Sequence, residues 1–560
     1  MLLGIDVGGT YTDAVLAEGN EIIGSAKAPT TRGCLLTGIL AALDGVLAQA
    51  KAKTVERITL STTLVTNIIA EQKTQRVGVL VMPGPGMDIT PLLPPDTRIL
   101  SGSIDHRGRE VTGVKRSEVK AAVVDFSREG ISYFAVIGKF SVRNPAQELL
   151  AAKWLREECP AVRYIALGHQ LAGNLNFPRR IHTAYLNAAV WADYQIFIDA
   201  AEEALRQRRL AAPVYILKAD GGTLPLAVSR KTPVEAIFTG PAASILGVQA
   251  LGDVGEPAAS LDVGGTTTDI ALWRNGLPLA APRGVRIGRN LTQVRSFLTR
   301  SLGIGGDSWV RELNGELLIG PERKGLPAAL GGPYPTITDA LCVLGETTLG
   351  DPDLARRALS SLRPGAVEQI ARQVLDQAAG YIADTVLEMI KSWEQEPCYR
   401  VLDLLRQPKF GLTKIIGVGG GAGGLTERVA ARLGCKASLP LGGMAANAAG
   451  AAVARPTRLC TLRVDTEQNT MLYVEEGRQT PVTVAAVDEA AVVAAAQAYL
   501  AEQGAVTRAS SREGMETVYA ETFNVIREFQ RTGKIITVQV QLRPGILRKM
   551  TWKAGDIRVQ

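Results

Sequence analysis

Two copies of one acidic, glycine-rich motif are the residues of this sequence best suited to chemistry. Residues 6–13 read Asp-Val-Gly-Gly-Thr-Tyr-Thr-Asp, and residues 262–269 read Asp-Val-Gly-Gly-Thr-Thr-Thr-Asp, so that seven of the eight positions are identical. Paired glycines let backbone N–H groups approach phosphate oxygens closely, because no Cβ stands in the way. The repeat therefore predicts two phosphate-binding turns in two related parts of the chain.

Each copy begins with an acid, Asp6 or Asp262, at the predicted end of a strand. A carboxylate beside a polyphosphate is repelled unless a hard cation lies between the two, so the acids predict Mg²⁺ held largely through water. We interpret Asp6 and Asp262 as metal-site and catalytic residues, one of them a candidate base. A plain hairpin turn explains a single copy equally well, but it explains two near-identical copies poorly.

A third glycine cluster, residues 417–424, follows a strand-like run and precedes a helix-like stretch. That order favours an adenosine-side loop against a helix N-terminus. The cluster also holds a literal G-x-G-x-x-G, so a dinucleotide site is the alternative, although the acid expected about 20 residues further on is absent from the sequence. The predicted nucleotide contacts of the three clusters are Gly8, Gly9, Thr10, Thr12, Gly264, Gly265, Thr266, Thr268, Gly419, Gly420 and Gly421.

The elements that must position these turns follow from local patterns. Each octapeptide lies between two short apolar runs, which predicts strand, turn and strand. Residues 182–210 predict one long helix, and apolar residues at helical spacing predict another from residue 367 to residue 390. The small, glycine-broken stretch 438–456 predicts a packed helix rather than a membrane span.

The composition is that of a globular protein, and it limits the classes of partner. A chain of 560 residues exceeds what one core usually accommodates, so we expect two large domains and a small third. The net charge of +7 is spread along the chain and aromatic residues make up only 5%, which argues against a nucleic-acid partner. Six cysteines without a C-x-x-C pair predict reduced thiols in the cytoplasm, and no stretch predicts a signal peptide or a membrane anchor.

Taken together, the two hairpins and the late glycine turn resemble the actin, Hsp70 and sugar-kinase ATPase superfamily. Within it, the chain resembles the hydantoinase A / 5-oxoprolinase family, which also includes subunits of acetone and acetophenone carboxylases. The resemblance covers residues 1–455. The segments that carry it are residues 62–67, 220–222, 239–242, 335–340 and 419–421.

The resemblance implies an α/β fold with two ribonuclease-H-like (actin-like ATPase) domains that face a nucleotide cleft. We expect these domains over residues 1–185 and 186–455, followed by a small α+β C-terminal domain over residues 456–560. It also implies an ATP-dependent hydrolase that uses Mg²⁺ and activates a cyclic amide or related carbonyl by phosphorylation before ring opening. Candidate substrate contacts are Thr63, Asn67, His169 and Gly240.

Other functions stay open at this point. The chain is alternatively an ATP-using subunit of a carboxylase-like complex, a small-molecule kinase, or an ATPase that activates a partner metalloenzyme. The resemblance implies a second subunit of the hydantoinase B type and an oligomer.

The sequence departs from the family pattern in places that bear on the substrate. The family commonly carries D-I-H-T-V-G-A-G-G-G-S, whereas the corresponding residues 294–308 lack the Asp-His pair. A family S-H-E segment is Gly168-His169-Gln170 here, and the tail is shorter than is typical. The resemblance therefore carries ATP use but does not specify the substrate.

Overall fold

A computed structural model of the chain shows a mixed α/β fold. The structure describes residues 1–31, 34–49, 54–86, 88–171, 175–281, 284–288, 290–395, 409–482, 487–502 and 514–553. Within these ranges, no helix is both long enough and apolar enough to cross a membrane. The described cysteines, which exclude Cys398, are free thiols, in agreement with the prediction from their spacing.

The strands are numbered in chain order. They are β1 (Leu2–Val7), β2 (Tyr11–Glu18), β3 (Glu21–Pro29), β4 (Arg57–Thr62), β5 (Val77–Met82), β6 (Thr97–Ile99), β7 (Ser103–Ile104), β8 (Glu110–Thr112), β9 (Tyr133–Gly138), β10 (Tyr164–Leu167), β11 (Val214–Leu217), β12 (Thr223–Pro225), β13 (Ala258–Val263), β14 (Thr268–Arg274), β15 (Leu277–Pro278), β16 (Ala280–Ala281), β17 (Arg286–Ile287), β18 (Asn290–Leu291), β19 (Ser296–Phe297), β20 (Thr299–Leu302), β21 (Val310–Leu313), β22 (Glu316–Ile319), β23 (Lys414–Val418), β24 (Lys436–Ser438), β25 (Leu459–Asp465), β26 (Thr470–Tyr473), β27 (Arg478–Pro481), β28 (Met515–Arg527), β29 (Gln530–Leu542) and β30 (Thr551–Trp552).

The α-helices of the described residues are numbered in the same way. They are α1 (Leu35–Leu47), α2 (Leu64–Ala70), α3 (Arg116–Arg128), α4 (Ala146–Glu158), α5 (Gly168–Leu171), α6 (Phe177–Ala189), α7 (Trp191–Gln207), α8 (Leu226–Ser229), α9 (Thr239–Leu251), α10 (Ile337–Val343), α11 (Pro352–Ser360), α12 (Val367–Glu394), α13 (Ala422–Leu433), α14 (Ala446–Val453) and α15 (Glu489–Glu502).

Two of the sheets share one strand arrangement. The first has the order β12-β11-β4-β1-β2-β3-β30, with β1, β2 and β3 antiparallel and β4 and β11 parallel to β1. The second has the order β15-β14-β13-β23-β24, with β13, β14 and β15 antiparallel and β23 and β24 parallel to β13. The repeated octapeptide therefore occupies the same place in both sheets, as the strand–turn–strand prediction required.

A third sheet interrupts the first one between β4 and β11. Its order is β10-β9-β5-β6 and its paired strands are parallel. Side chains of α3 and α4 pack on one face, and α6 packs on the other. Covered faces explain why β5 and β9 read as continuous apolar runs.

The C-terminal stretch forms a separate antiparallel sheet of order β27-β26-β25-β29-β28. Val492, Ala496 and Leu500 of α15 are buried against it. The described residues beyond 456 thus combine antiparallel strands with a helix, and the domain boundaries stay predictions. Two strands from beyond residue 185, β11 and β12, belong to the first sheet.

The prediction of one long helix over residues 182–210 is wrong. The chain breaks at Val190 into α6 and α7. The carbonyl of Ala189 accepts a hydrogen bond from the Gln75 N–H (2.9 Å), a contact from outside the helix that the local sequence does not encode.

Helix α14 is the small-residue helix predicted within residues 438–456. Its backbone packs directly against the backbones of α9 and β1, because glycines lie at the points of contact. A Cβ on Gly450 would lie 2.1 Å from the carbonyl oxygen of Ala243, and one on Gly247 would lie 2.1 Å from that of Ala446. A Cβ on Gly4 would lie 2.0 Å from the carbonyl oxygen of Ala448. Only glycine permits these approaches, which bring the first sheet and α9 onto one helix.

We expect Gly450→Ala to destabilise the protein, because the added methyl group meets backbone that has no room to move. The free energy of unfolding should fall by about 1–3 kcal/mol or more. The matched control is Gly113→Ala, since the nearest atom to that Cβ is the end of the exposed Glu110 side chain at 3.6 Å. Urea unfolding of both variants measures the difference, and equal stabilities would contradict the packing described for α14.

Candidate functional site

The acids of the two octapeptides meet at one side chain. Asn447 of α14 donates a hydrogen bond from Nδ2 to Asp6 Oδ2 (3.4 Å), and its side chain is also hydrogen-bonded to Asp262. Ser61, at the end of β4, donates to Asp6 Oδ1 (2.6 Å), and Ser244 of α9 is hydrogen-bonded to Asp262. The two turns therefore face one shared location, as their sequence similarity predicts.

Burial dominates the electrostatics of this pair. The pKa of Asp6 is raised to about 6, chiefly by burial and then by the nearby charges of Asp13 and Asp262, against the lowering effect of Ser61. The pKa of Asp262 is raised to about 7 by burial and by Asp269, and Lys27 lowers it. Carboxylates collected in one place without enough positive charge attract a cation.

The acid that ends each octapeptide lies beside the acid that begins it. Asp6 is paired with Asp13 across β1 and β2, and Asp262 is paired with Asp269 across β13 and β14. Burial raises the pKa of Asp269 to about 6. Asp13 forms an ion pair with Lys27 of β3 (2.9 Å).

The third glycine cluster lies directly on Asp262. A Cβ on Gly419, whose φ is +90°, would lie 2.7 Å from Asp262 Oδ1, and the Gly421 N–H donates to the Val263 carbonyl (3.0 Å). Gly420 has open space where a Cβ would be. The predicted adenosine-side loop and the second octapeptide thus form one surface.

The stretch that lacks the Asp-His pair supports the second octapeptide turn. The N–H groups of Gly306 and Asp307 donate to the carbonyls of Gly264 (2.9 Å) and Gly265 (2.7 Å). Asp307 forms an ion pair with Arg323 (2.7 Å). The two backbone hydrogen bonds hold the second octapeptide turn against residues 306–307. They involve backbone groups only, so they do not need the Asp-His pair that this sequence lacks.

Three of the four candidate substrate residues gather at the first octapeptide turn. A Cβ on Gly9 would lie 3.2 Å from Asn67 Nδ2, and one on Gly240 would lie 2.9 Å from Thr63 Cγ2. The Thr62 N–H donates a hydrogen bond to the Thr239 hydroxyl (2.9 Å), and that hydroxyl donates to the Thr62 carbonyl (2.5 Å). These two hydrogen bonds join the start of α2 to the start of α9.

His169, the fourth candidate, lies at the carboxyl end of β10 in the third sheet. Its Nδ1 is 2.5 Å from Oε2 of the buried Glu148, and Glu148 also accepts from the Gly138 N–H (2.7 Å). The described contacts of His169 do not include Thr63, Asn67 or Gly240. A carboxylate absent from the local sequence motif is therefore supplied to His169 by α4.

The threonines of the octapeptides divide into two kinds. Thr12 and Thr268 are fully buried, and their hydroxyls bond to Thr30 Oγ1 (2.9 Å) and to the Ile304 carbonyl (2.7 Å). Thr10 is half-buried and Thr266 is exposed. Thr10 and Thr266 are thus better placed for a ligand than the buried Thr12 and Thr268.

A cavity of about 930 Å³ opens beside the third glycine cluster and Asp13, the last residue of the first octapeptide. Asp13 and Lys27 line it from the first sheet, and residues 417–420 line it from the second. Trp552, near the end of the described chain, contributes to the same wall. The cavity therefore lies between the two sheets that carry the repeat.

Several residues of this site were missed by sequence reasoning. Asp13 and Asp269 belong to the repeat and could have been found there. Asn447 is the one polar side chain of the Ala-rich α14, which is a weak signal. Ser61 and Lys27 carry no signal in the sequence, since only the sheet places them beside the acids.

The chain belongs to the hydantoinase/oxoprolinase family. The family model described as hydantoinase/oxoprolinase matches residues 180–459, and the model of its N-terminal region matches residues 2–159. The family resemblance that the five matching segments predicted is thereby confirmed.

Two characterised relatives are similar over most of the chain. The caprolactamase subunit alpha of Pseudomonas jessenii is 28% identical over 490 residues, which is 78% of this chain and 68% of that protein. The acetophenone carboxylase gamma subunit of Aromatoleum aromaticum is 27% identical over 67% of this chain. The matched region spans only 57% of that subunit, less than two thirds of its length.

Two solved structures share the fold. The nucleotide-free structure of an acetone carboxylase superposes with a TM-score of 0.72 at 17% identity, over 96% of this chain and 87% of that one. The ATP-dependent caprolactamase from Pseudomonas jessenii gives 0.64 at 21% identity, over 98% and 88%. The mixed α/β fold is therefore shared across nearly the whole chain.

The raised pKa values predict a pH-dependent stability. Between the ordinary pKa of 3.8 and the folded value of about 7, folded Asp262 holds a proton that the unfolded chain has lost. The free energy of unfolding should therefore fall as the pH rises through this window. Asp262→Asn has no charge to bury, so its stability advantage over the wild type should grow by about 1–3 kcal/mol from pH 4 to pH 8.

Urea unfolding across this pH range, without nucleotide or metal, measures the effect. Asp384→Asn is the control, because it removes an exposed carboxylate from α12. Identical pH profiles for the wild type and Asp262→Asn would contradict the electrostatics assigned to the site.

Proposed function

We propose that the chain is an ATP-dependent hydrolase of the hydantoinase/oxoprolinase type, which activates a cyclic amide or related carbonyl by phosphorylation before ring opening. One observation carries this proposal: Asp6 and Asp262, from matching hairpins of two sheets, share the side chain of Asn447 beside a cavity between those sheets. The names of the relatives support the substrate class, since one is a caprolactamase subunit and others act in ketone carboxylation.

We assign the phosphates to the two octapeptide turns. Gly8, Gly9 and Thr10 would bind from the first sheet, and Gly264, Gly265 and Thr266 from the second, while Gly419, Gly420 and Gly421 would face the adenosine. The buried Thr12 and Thr268 would hold the turns in shape through their internal hydrogen bonds. Phosphoryl transfer depends mainly on positioning and on neutralised charge, which this arrangement offers.

The acids fit a magnesium ion. Asp6 and Asp262 supply the carboxylate oxygens that Mg²⁺ prefers, and burial raises the pKa of both. A bound Mg²⁺ would neutralise the charge of the β- and γ-phosphates. The chain's own contribution is to hold the two acids at a fixed separation through Asn447, and one of them would serve as the base.

The chemistry overcomes two weaknesses of an amide. Its carbonyl carbon is a poor electrophile and its nitrogen a poor leaving group. Transfer of the γ-phosphoryl group to the carbonyl oxygen would make the carbon a good electrophile, so that water adds there. The protonated ring nitrogen would then leave, which opens the ring as an acyl phosphate, and a second water would release phosphate. In the net reaction ATP, the lactam and two waters give ADP, phosphate and the ring-opened product.

In this proposal the chain forms two ribonuclease-H-like, actin-like ATPase domains, over residues 1–185 and 186–455, and the two domains close on the nucleotide. Closure would exclude water from the phosphoryl group. The shared strand order of the two sheets supports it. Residues 456–560 would form the third domain, in a cytoplasmic protein that works with a second subunit of the hydantoinase B type in an oligomer.

A carboxylase-type subunit is the second candidate. It is favoured by the acetophenone carboxylase gamma subunit among the relatives and by the acetone carboxylase structure. An ATPase assay with lactams, cyclic imides and ketones, with and without proteins from neighbouring genes, separates the two. Phosphate and a ring-opened product support the hydrolase, whereas bicarbonate-dependent phosphate release with a ketone supports the carboxylase.

Asp262→Asn should abolish ATP turnover and leave the fold intact, because it removes a metal-binding charge. We expect kcat to fall by about 10²-fold or more. Phosphate release with saturating substrate measures this, and the urea midpoint at pH 4 controls for folding. Normal ATPase activity in this variant would refute the assignment of the second hairpin.

Asn67→Ala tests the substrate side of the first hairpin. Its amide lies beside Gly9 and 3.3 Å from Thr63 Oγ1, so its loss should raise KM for the carbonyl substrate about 10-fold and leave KM for ATP within about 2-fold. Asn524→Ala, on the exposed face of β28, is the control. A rise in KM for ATP alone would place Asn67 with the nucleotide instead.

A further inference from the structure

The cavity between the two sheets has a polar part and an apolar part. Asp13, Lys27 and the glycine turn 417–420 form the polar part. The apolar part consists of large side chains that a folded protein normally buries: Leu439, Leu441, Met444 and Trp552. Leu439, Leu441 and Met444 are 45%, 61% and 44% exposed. Exposed apolar side chains gathered beside glycine turns indicate a ligand with an apolar, flat portion and a charged portion.

Trp552 reaches this wall from the C-terminal segment, far from the cavity in sequence. Strand β30 pairs with the edge strand β3, with Trp552 opposite Ile22. Just before it, Met550 is buried and its N–H donates to the Ala250 carbonyl (2.9 Å). The Leu547 N–H donates to the Val453 carbonyl of α14 (2.8 Å). The segment is therefore held in place before any ligand arrives.

The indole is seated against a glycine that has no room for a side chain. A Cβ on Gly442, whose φ is +72°, would lie 1.7 Å from Trp552 Nε1. That nitrogen is buried and has no hydrogen-bond partner among the described residues. The Nε1 edge of the indole thus packs against Gly442, and the part of the side chain that faces the cavity is apolar.

The apolar wall is continuous with the glycine turn assigned to adenosine. The Gly419 N–H donates to the Gly443 carbonyl (3.1 Å), which joins the turn to the loop that holds Met444. Asp13 of the first octapeptide lines this cavity together with Gly419 and Gly420. Thr63 and Asn67, the candidate contacts of the carbonyl substrate, do not line it, and the glycines of the two octapeptide turns lie outside its lining as well. A ligand with phosphates at the glycine turns would place its base, not a lactam ring, against this wall.

We propose that Trp552, with Leu439, Leu441 and Met444, forms the binding subsite for the nucleotide base, so that the C-terminal segment is a working part of the ATP site. The inference rests on the proposed ATP use and adds a specificity-determining residue to it. A planar base gains from contact with an aromatic ring and apolar side chains, whereas phosphates gain nothing from them.

The test compares two ligands that differ only in whether they carry a base. Binding of Mg·ATP and of Mg·triphosphate to the full chain is measured for the wild type, Trp552→Ala and Trp552→Phe. Trp552→Ala should weaken ATP binding about 5- to 100-fold and leave triphosphate binding within about 2-fold. Trp552→Phe, which keeps an aromatic ring, should retain most of the ATP affinity. Trp154→Ala, a partly buried tryptophan on α4, is the matched control.

The possible results distinguish the base subsite from the other roles of this cavity. Unchanged ATP binding in Trp552→Ala, or an equal loss for ATP and triphosphate, overturns this inference alone. A rise in KM for the carbonyl substrate with KM for ATP unchanged overturns it too, because the wall would then belong to the substrate. A wild-type protein that binds neither ligand overturns the proposed function together with this inference.

Discussion

The amide of Asn447 between two carboxylates is the contact on which the arrangement of the site depends. Asp6 belongs to the first sheet and Asp262 to the second, and neither sheet alone brings them together. Asn447 does so only because α14 lies against both β1 and α9 with glycine at each crossing. Close backbone packing therefore sets the separation of the acids, and with it the charge density that a cation would meet.

Burial of several carboxylates around this contact makes the negative charge of the site costly. Four carboxylates, those of Asp6, Asp13, Asp262 and Asp269, lie in two neighbouring pairs, and Lys27 is the cation that the described contacts place among them. Ser61, Ser244 and Asn447 donate hydrogen bonds that offset part of the cost. An arrangement of this kind trades stability for binding, as functional sites commonly do.

Much of the fold could be predicted from local patterns, and the site only in part. The octapeptides predict their hairpins because glycine pairs between apolar runs permit little else, and the family follows from the five matching segments. The break at Val190 could not be predicted from the local pattern, and the Gln75 N–H that bonds to the Ala189 carbonyl there comes from more than a hundred residues away. Lys27, Ser61 and Asn447 were missed for the same reason: their role comes from strand pairing and helix crossing, not from neighbours in the chain. His169 is a further example, since its partner Glu148 lies on α4, 21 residues away in sequence.

The pairing of β3 with β30 has a consequence for the order of assembly. The core of the first sheet is made from the opening 62 residues, yet its outer strand pairs Glu21 with Thr551. During synthesis on the ribosome, that edge stays uncovered until residue 552 has emerged, although the octapeptide hairpin beside it can form early. An uncovered strand edge is a template for wrong pairing. Chaperone demand should therefore be concentrated late in translation, and shortening the tail should affect solubility before it affects the rest of the fold.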